Sequence, residues 1–196
     1  MKEKNYSIQF LRFLLAIIIC YGHFLWVTPY QNVEMYANLK AHCANSFFAV
    51  EYFFIISGYF LFFSSRTIKD FVKQKIIRIW PLLAFSILVG ICIGMKAKSC
   101  DLATLFFLQG TGISQKGGLN GPAWFVCVLF WVSLIYHIVL KNMTNKIKRN
   151  IFFLSVFLVS FFLLIKNLFI FPRAIMFGFL SIMMVRGFAC IALGVL

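Results

Sequence analysis

Six stretches of the chain are apolar enough to form membrane helices, and polar or basic segments separate them. They cover residues 8–27, 46–65, 80–95, 122–140, 151–165 and 174–196. A spanning helix needs about 20 mostly apolar residues, so the third is rather short. The fourth opens on Pro122, well placed in a first helical turn where a missing N–H breaks no bond. Residues 66–81, RTIKDFVKQKIIRIWP, set Ile68, Phe71, Val72, Ile76 and Ile79 on one helical face and basic side chains on the other. That is the pattern of a helix lying in the membrane interface. Residues 28–45, 141–150 and 166–173 read as connectors. The longest loop, 96–121, joins an apolar stretch, LATLFFLQG, to a glycine-rich segment, GTGISQKGGLNG. The pattern predicts an all-α, polytopic integral membrane protein of about six transmembrane helices with one interfacial amphipathic helix. The chain stops inside apolar sequence, so residues 1–196 are expected to form one membrane domain cut short at its C-terminus.

Composition agrees with this picture. The 196 residues are 62% hydrophobic with 26 Phe, and only 12% are charged, about half the soluble average of roughly 25%. The mean hydropathy is +0.92. The net charge of +14 comes from 19 Lys and Arg against 5 Asp and Glu. In a soluble protein that excess suggests nucleic acid, but no soluble domain is present here to carry a basic patch. With the N-terminus inside, eleven of these cations fall in inside segments and six in outside ones. The positive-inside rule therefore predicts a cytoplasmic N-terminus. Met1–Lys4 followed by an apolar run imitates a signal peptide, but no small-residue cleavage site follows. Six cysteines show no metal-type spacing, so no metal site is expected. Cys43 and Cys100 lie in outside loops, where a disulfide is chemically allowed but is the lesser reading.

Candidate chemistry sits inside the apolar runs. Arg12 and His23 lie eleven positions apart, roughly three turns, which aligns them on one face about 16 Å apart along the axis. An ionisable group in hydrocarbon is costly and usually faces a cavity or a partner. An arginine near a helix end also serves as an anchor, and a neutral histidine can simply hydrogen-bond between helices. In the predicted topology Glu51, near the outer end of the second stretch, reaches the depth of His23. A carboxylate there would orient the imidazole for acid–base work, or the two would only satisfy one another. Ser57–Gly58 offers close helix approach, with packing the stronger reading, or room for a ligand. The basic residues of 66–78, Lys75 and Arg78 among them, suit the phosphates of a cytosolic donor, or no more than the positive-inside signal. His137 has no evident partner and reads as structural. Arg186 is a further interior cation.

These residues carry a resemblance. IQFLRFLLAIIICYGHF, with Arg12 and His23 separated by ten residues, is similar to the first helix of the membrane-bound acyltransferase family 3 proteins. FAVEYFFIISGYFLF (48–62) resembles that family's second-helix signature, and KIIRIWP (75–81) its Arg-x-x-Arg-aromatic-Pro motif, with Lys75 in place of the first arginine. NGPAWFVCVLFW (120–131) and RGFACIALGVL (186–196) resemble later segments. The resemblance spans essentially the whole chain and implies part of a larger, roughly ten-helix bundle in a bacterial-type inner membrane. It implies an O-acyltransferase that takes an acyl group from cytoplasmic acetyl-CoA to a hydroxyl of a cell-envelope glycan or lipid-linked glycan. His23 and Glu51 would be the catalytic pair, with Arg12, Ser57, Lys75 and Arg78 binding substrate. Membrane lipid is the expected surrounding partner and nucleic acid is not. The alternatives are an inactive or partial fragment of such an enzyme, or a segment of a transporter or flippase.

Overall fold

The computed structural model describes residues 6–27, 48–114, 118–166, 175–176 and 180–196. It divides into two compact units, Met1–Phe53 and Phe54–Leu196. The described residues form seven α-helices: α1 (Tyr6–Val27), α2 (Phe48–Phe62), α3 (Ile68–Cys92), α4 (Ser99–Leu105), α5 (Trp124–Asn142), α6 (Lys146–Lys166) and α7 (Ile182–Val195). A two-residue antiparallel pairing of β1 (Ile175–Met176) with β2 (Leu180–Ser181) precedes α7. Four helices are long and apolar enough to cross a membrane, namely Tyr6–Leu25, Ile68–Cys92, Gly121–Asn142 and Lys146–Lys166. The shorter apolar helices are α2 and α7. The protein is an all-α, multi-pass membrane protein. Residues 28–45 and 167–173 lie outside the described residues, and so does Cys43 of the weighed disulfide; Cys100 is buried at the start of α4.

Three expectations need correction. The amphipathic segment and the short third stretch are one helix, α3, of 25 residues. Thr67 caps its start by accepting the Asp70 N–H at 3.2 Å, and Asp70 accepts the Thr67 hydroxyl at 2.7 Å. Pro81 lies within α3 and forgoes one backbone bond. The preceding segment nonetheless stays helical because its apolar side is anchored: Phe71 is buried, and Val72 and Ile79 pack on a core of Leu83, Phe107, Ala123, Cys127 and Phe130. That face thus meets protein as well as the interface. At 25 residues, α3 is about 37 Å long, which exceeds a hydrocarbon core of about 30 Å. Its basic turns lie beyond the apolar part that spans.

Second, the last apolar stretch is not helical from its start: among the described residues, Ile175–Met176 and Leu180–Ser181 pair as strands and the helix begins at Ile182. Third, most of the basic connector 141–150 is helical, since α5 runs to Asn142 and α6 begins at Lys146.

The short α7 is the centre of the second unit. Nine of its positions are buried, from Ile182 and Met183 through Ala189 and Ile191 to Val195. Helix α6 packs along it and α5 beside it. Only Phe153 and Ser160 of α6 are buried, seven positions apart on one stripe. The Tyr136 hydroxyl of α5 donates to the Phe188 carbonyl of α7 at 2.8 Å. Helix α2 crosses α7 with backbones nearly touching. A Cβ on Gly58 would collide with the Ile191 carbonyl and lie 3.0 Å from the Gly194 Cα, and one on Gly194 would collide with the Ile55 carbonyl. The packing reading of Gly58 therefore holds.

Gly194→Ala is expected to destabilise the chain by about 1–3 kcal/mol, since no flexible side chain can yield at the crossing. The check is a thermal unfolding midpoint in detergent, which should fall; an unchanged midpoint would show the crossing to be loose.

Candidate active site

The first unit carries three of the residues singled out in the sequence. Along α1 the least exposed positions are Ile8, Arg12, Leu15, Ile19, Gly22, His23 and Leu25, while the intervening side chains are largely exposed. Arg12 and His23 share that less exposed stripe, as their spacing predicts. The His23 Nδ1 lies 2.8 Å from the Ile19 carbonyl oxygen one turn back. A carbonyl only accepts, so Nδ1–H donates, and in the neutral ring the basic lone pair is on Nε2. Glu51 is half-buried in the first turn of α2, where the backbone N–H groups of a helix start favour a carboxylate.

The second unit holds Ser57, Lys75 and Arg78, and gathers most of the basic residues at one end. Ser57 is half-buried beside the Gly58 crossing. On α3, Lys75 is half-buried with Nζ 5.3 Å from the centroid of the Phe71 ring, and Arg78 is exposed. Positions 71, 75 and 78 recur at helical spacing, so Phe71, Lys75 and Arg78 lie on one side of α3. Lys69 and Lys73 are exposed on another flank. The turn between α2 and α3 is held from across the bundle. Lys141 Nζ of α5 donates to the Ser65 carbonyl at 3.0 Å, and His137 Nε2 lies 3.1 Å from the Arg66 carbonyl. The Arg149 guanidinium of α6 lies over the Phe62 ring at 4.8 Å. His137 therefore has a partner after all. Its signal was invisible because the partner is a backbone carbonyl 71 residues away.

The opposite end is closed by a buried polar network that the sequence did not reveal. Asp101, 3% exposed, accepts the Lys98 N–H at 2.7 Å and the Leu119 N–H at 2.6 Å. Gln109, also buried, accepts from the Thr104 hydroxyl at 2.7 Å and donates to the carbonyls of Asn120 (3.2 Å) and Gly121 (2.9 Å). Asn120 donates to Ser86 of α3 at 2.9 Å. Gly110, at φ 74°, lies against Trp124, and its carbonyl accepts from Ser181, the N-cap of α7. Phe107 takes a left-handed conformation at φ 59°, uncommon for a bulky residue. Its ring stacks on Phe130 at 4.4 Å and its carbonyl accepts the Trp131 indole N–H at 2.9 Å. The described part of the loop expected over 96–121 is thus a folded plug seated on α3, α5 and α7. Beneath it, Arg186 lies 5.4 Å from the Trp124 ring, which in turn sits 6.5 Å from Phe54.

The Arg12–His23 stripe of α1 and the KIIRIWP turns of α3 carry motifs by which the sequence resembled an acyltransferase. A sequence model described as an acyltransferase domain, that of acyltransferase family 3, matches residues 5–196. The chain belongs to acyltransferase family 3. It is a membrane acyltransferase, a transferase of groups other than aminoacyl groups. No curated protein matches the chain. No solved structure matches it either. Among the described residues no group of three or more His, Cys, Asp or Glu is placed to hold a metal ion.

Asp101→Asn should weaken the plug of this acyltransferase. An amide offers one acceptor oxygen where the carboxylate offers two, so one of the two backbone N–H groups loses its partner at about 1–3 kcal/mol. A lowered unfolding midpoint in detergent checks this, with Asp101→Ala lower still.

Proposed function

We propose that this acyltransferase moves an acetyl group from acetyl-CoA to a hydroxyl of a cell-envelope glycan, with its N-terminus in the cytoplasm of a bacterial-type inner membrane. The observation that carries the reading is the α1 stripe, which leaves an arginine and a histidine less exposed than most of their apolar neighbours. Family membership supports the transfer of an acyl group. The concentration of cations around α3 supports a cytoplasmic, anion-binding side.

In this reading Arg12, Lys75 and Arg78 bind the donor's phosphates and amides. Lys75 binds as a point charge rather than a planar fork, so the geometric demand falls on the two arginines. His23 Nε2 removes the proton of the acceptor hydroxyl, whose oxygen attacks the thioester carbonyl carbon. The carbon–sulfur bond then breaks, and the thiolate of coenzyme A leaves and takes up a proton. The same lone pair could instead carry the acetyl group transiently. Glu51 balances the charge that His23 acquires when it takes the proton. Ser57, beside the glycines that let two helices approach, contributes a hydroxyl to substrate.

The test is transfer of label from radioactive acetyl-CoA into envelope glycan by membranes carrying the chain. His23→Ala is expected to reduce incorporation by at least about a hundredfold, the scale of a lost general base, with protein level unchanged. Undiminished incorporation would refute the assignment of His23. Arg78→Ala should raise the KM for acetyl-CoA more than it lowers kcat, because it removes a binding contact remote from the reacting bond. Steady-state kinetics check this.

A further inference from the structure

Phe71 of α3 is buried with the His137 imidazole stacked on its ring, centroids 4.3 Å apart and planes 11° from parallel. Lys75 Nζ lies 5.3 Å from the same ring. His137 comes from α5 and is 1% exposed. Its Nε2 is 3.1 Å from the Arg66 carbonyl, so the imidazole donates. One turn further along α5, Lys141 donates to the preceding carbonyl, that of Ser65. Two successive turns of one helix thus capture two successive carbonyls of the turn that launches α3. The next residue, Thr67, caps α3.

The other imidazole nitrogen, Nδ1, is buried with no hydrogen-bond partner among the described residues. A side chain that served only to fill this space would be better without that polar atom. What the imidazole adds over an apolar ring is the bond to the Arg66 carbonyl.

We propose that His137 is a positioning residue for the acyl donor: by bonding the Arg66 carbonyl and stacking on Phe71, it fixes where α3 presents Lys75. The inference rests on the reading of Lys75 as a donor contact. His137 touches neither substrate nor reacting atoms in this role. Its effect falls on donor binding and not on the chemical step.

The experiment uses the full chain in detergent micelles, which leaves both membrane faces accessible, and compares His137→Ala, His137→Phe, His137→Gln and Lys75→Ala. His137→Ala is expected to raise the KM for acetyl-CoA roughly tenfold, the scale of a displaced positioning contact, with kcat little changed. His137→Phe, which keeps the stacking but not the donor, should behave likewise and guards against a folding defect in the alanine variant. His137→Gln, whose side-chain amide N–H can reach the same carbonyl, should restore most of the loss. A second readout needs no substrate: trypsin should cleave after Arg66 faster in the alanine and phenylalanine variants than in the native chain or the glutamine variant. If Lys75→Ala raises the KM but His137→Ala and His137→Phe do not, the positioning role is overturned and the donor reading stands. If Lys75→Ala leaves the KM unchanged, the donor reading fails and the proposal falls with it. Cleavage after Arg66 at the native rate in the phenylalanine variant overturns the anchoring of the turn directly.

Discussion

The near-contact of α2 and α7 backbones is the constraint on which the second unit depends. In a bilayer no hydrophobic gain drives one apolar helix onto another, so close van der Waals packing must supply the association. Gly58 and Gly194 supply it by offering no side chain where the Ile55 and Ile191 carbonyls pass. With α2 held there, the short α7 is covered on successive sides by α2, α5 and α6.

The two ends of this bundle are finished by different chemistry. At one end, two cations and a buried imidazole reach backbone carbonyls and an aromatic ring: Lys141 to Ser65, His137 to Arg66, Arg149 over Phe62. Such groups tolerate an aqueous boundary and leave many charges exposed. At the other, neutral side chains and one carboxylate bond backbone groups of the loop and tie it to α3, as Asp101, Gln109 and Asn120 show. Irregular backbone at membrane depth is viable only when its polar groups find internal partners. The described part of the plug makes such bonds within the loop and to the helices it sits on.

How legible the candidate site was varied with the distance over which its logic acts. Arg12 and His23 declared themselves because helical periodicity alone puts them on one stripe, and that stripe is the less exposed one of α1. Gly58 was legible for the same local reason. His137 was not, because its partners, Phe71 and the Arg66 carbonyl, lie far away in sequence and one of them is backbone. Asp101 and Gln109 were hidden in a segment whose glycines read as loop, since nothing in their neighbours announces that the loop is buried. The boundary drawn at Trp80 and Pro81 failed because a single lost backbone bond is outweighed by the packing of Phe71, Val72 and Ile79.

Apolar runs, the excess of Lys and Arg, and the spacing of polar residues within helices therefore determined by themselves that this is a multi-pass, all-α protein with the opening motifs of acyltransferase family 3. Those properties depend on periodicity and on transfer from water to hydrocarbon, which act residue by residue. Tertiary structure alone decided that α3 runs unbroken through Pro81, that α7 is central, that the long loop is a plug, and that His137 holds the start of α3. Each of these turns on a contact between segments remote in sequence, whose energy no local pattern encodes.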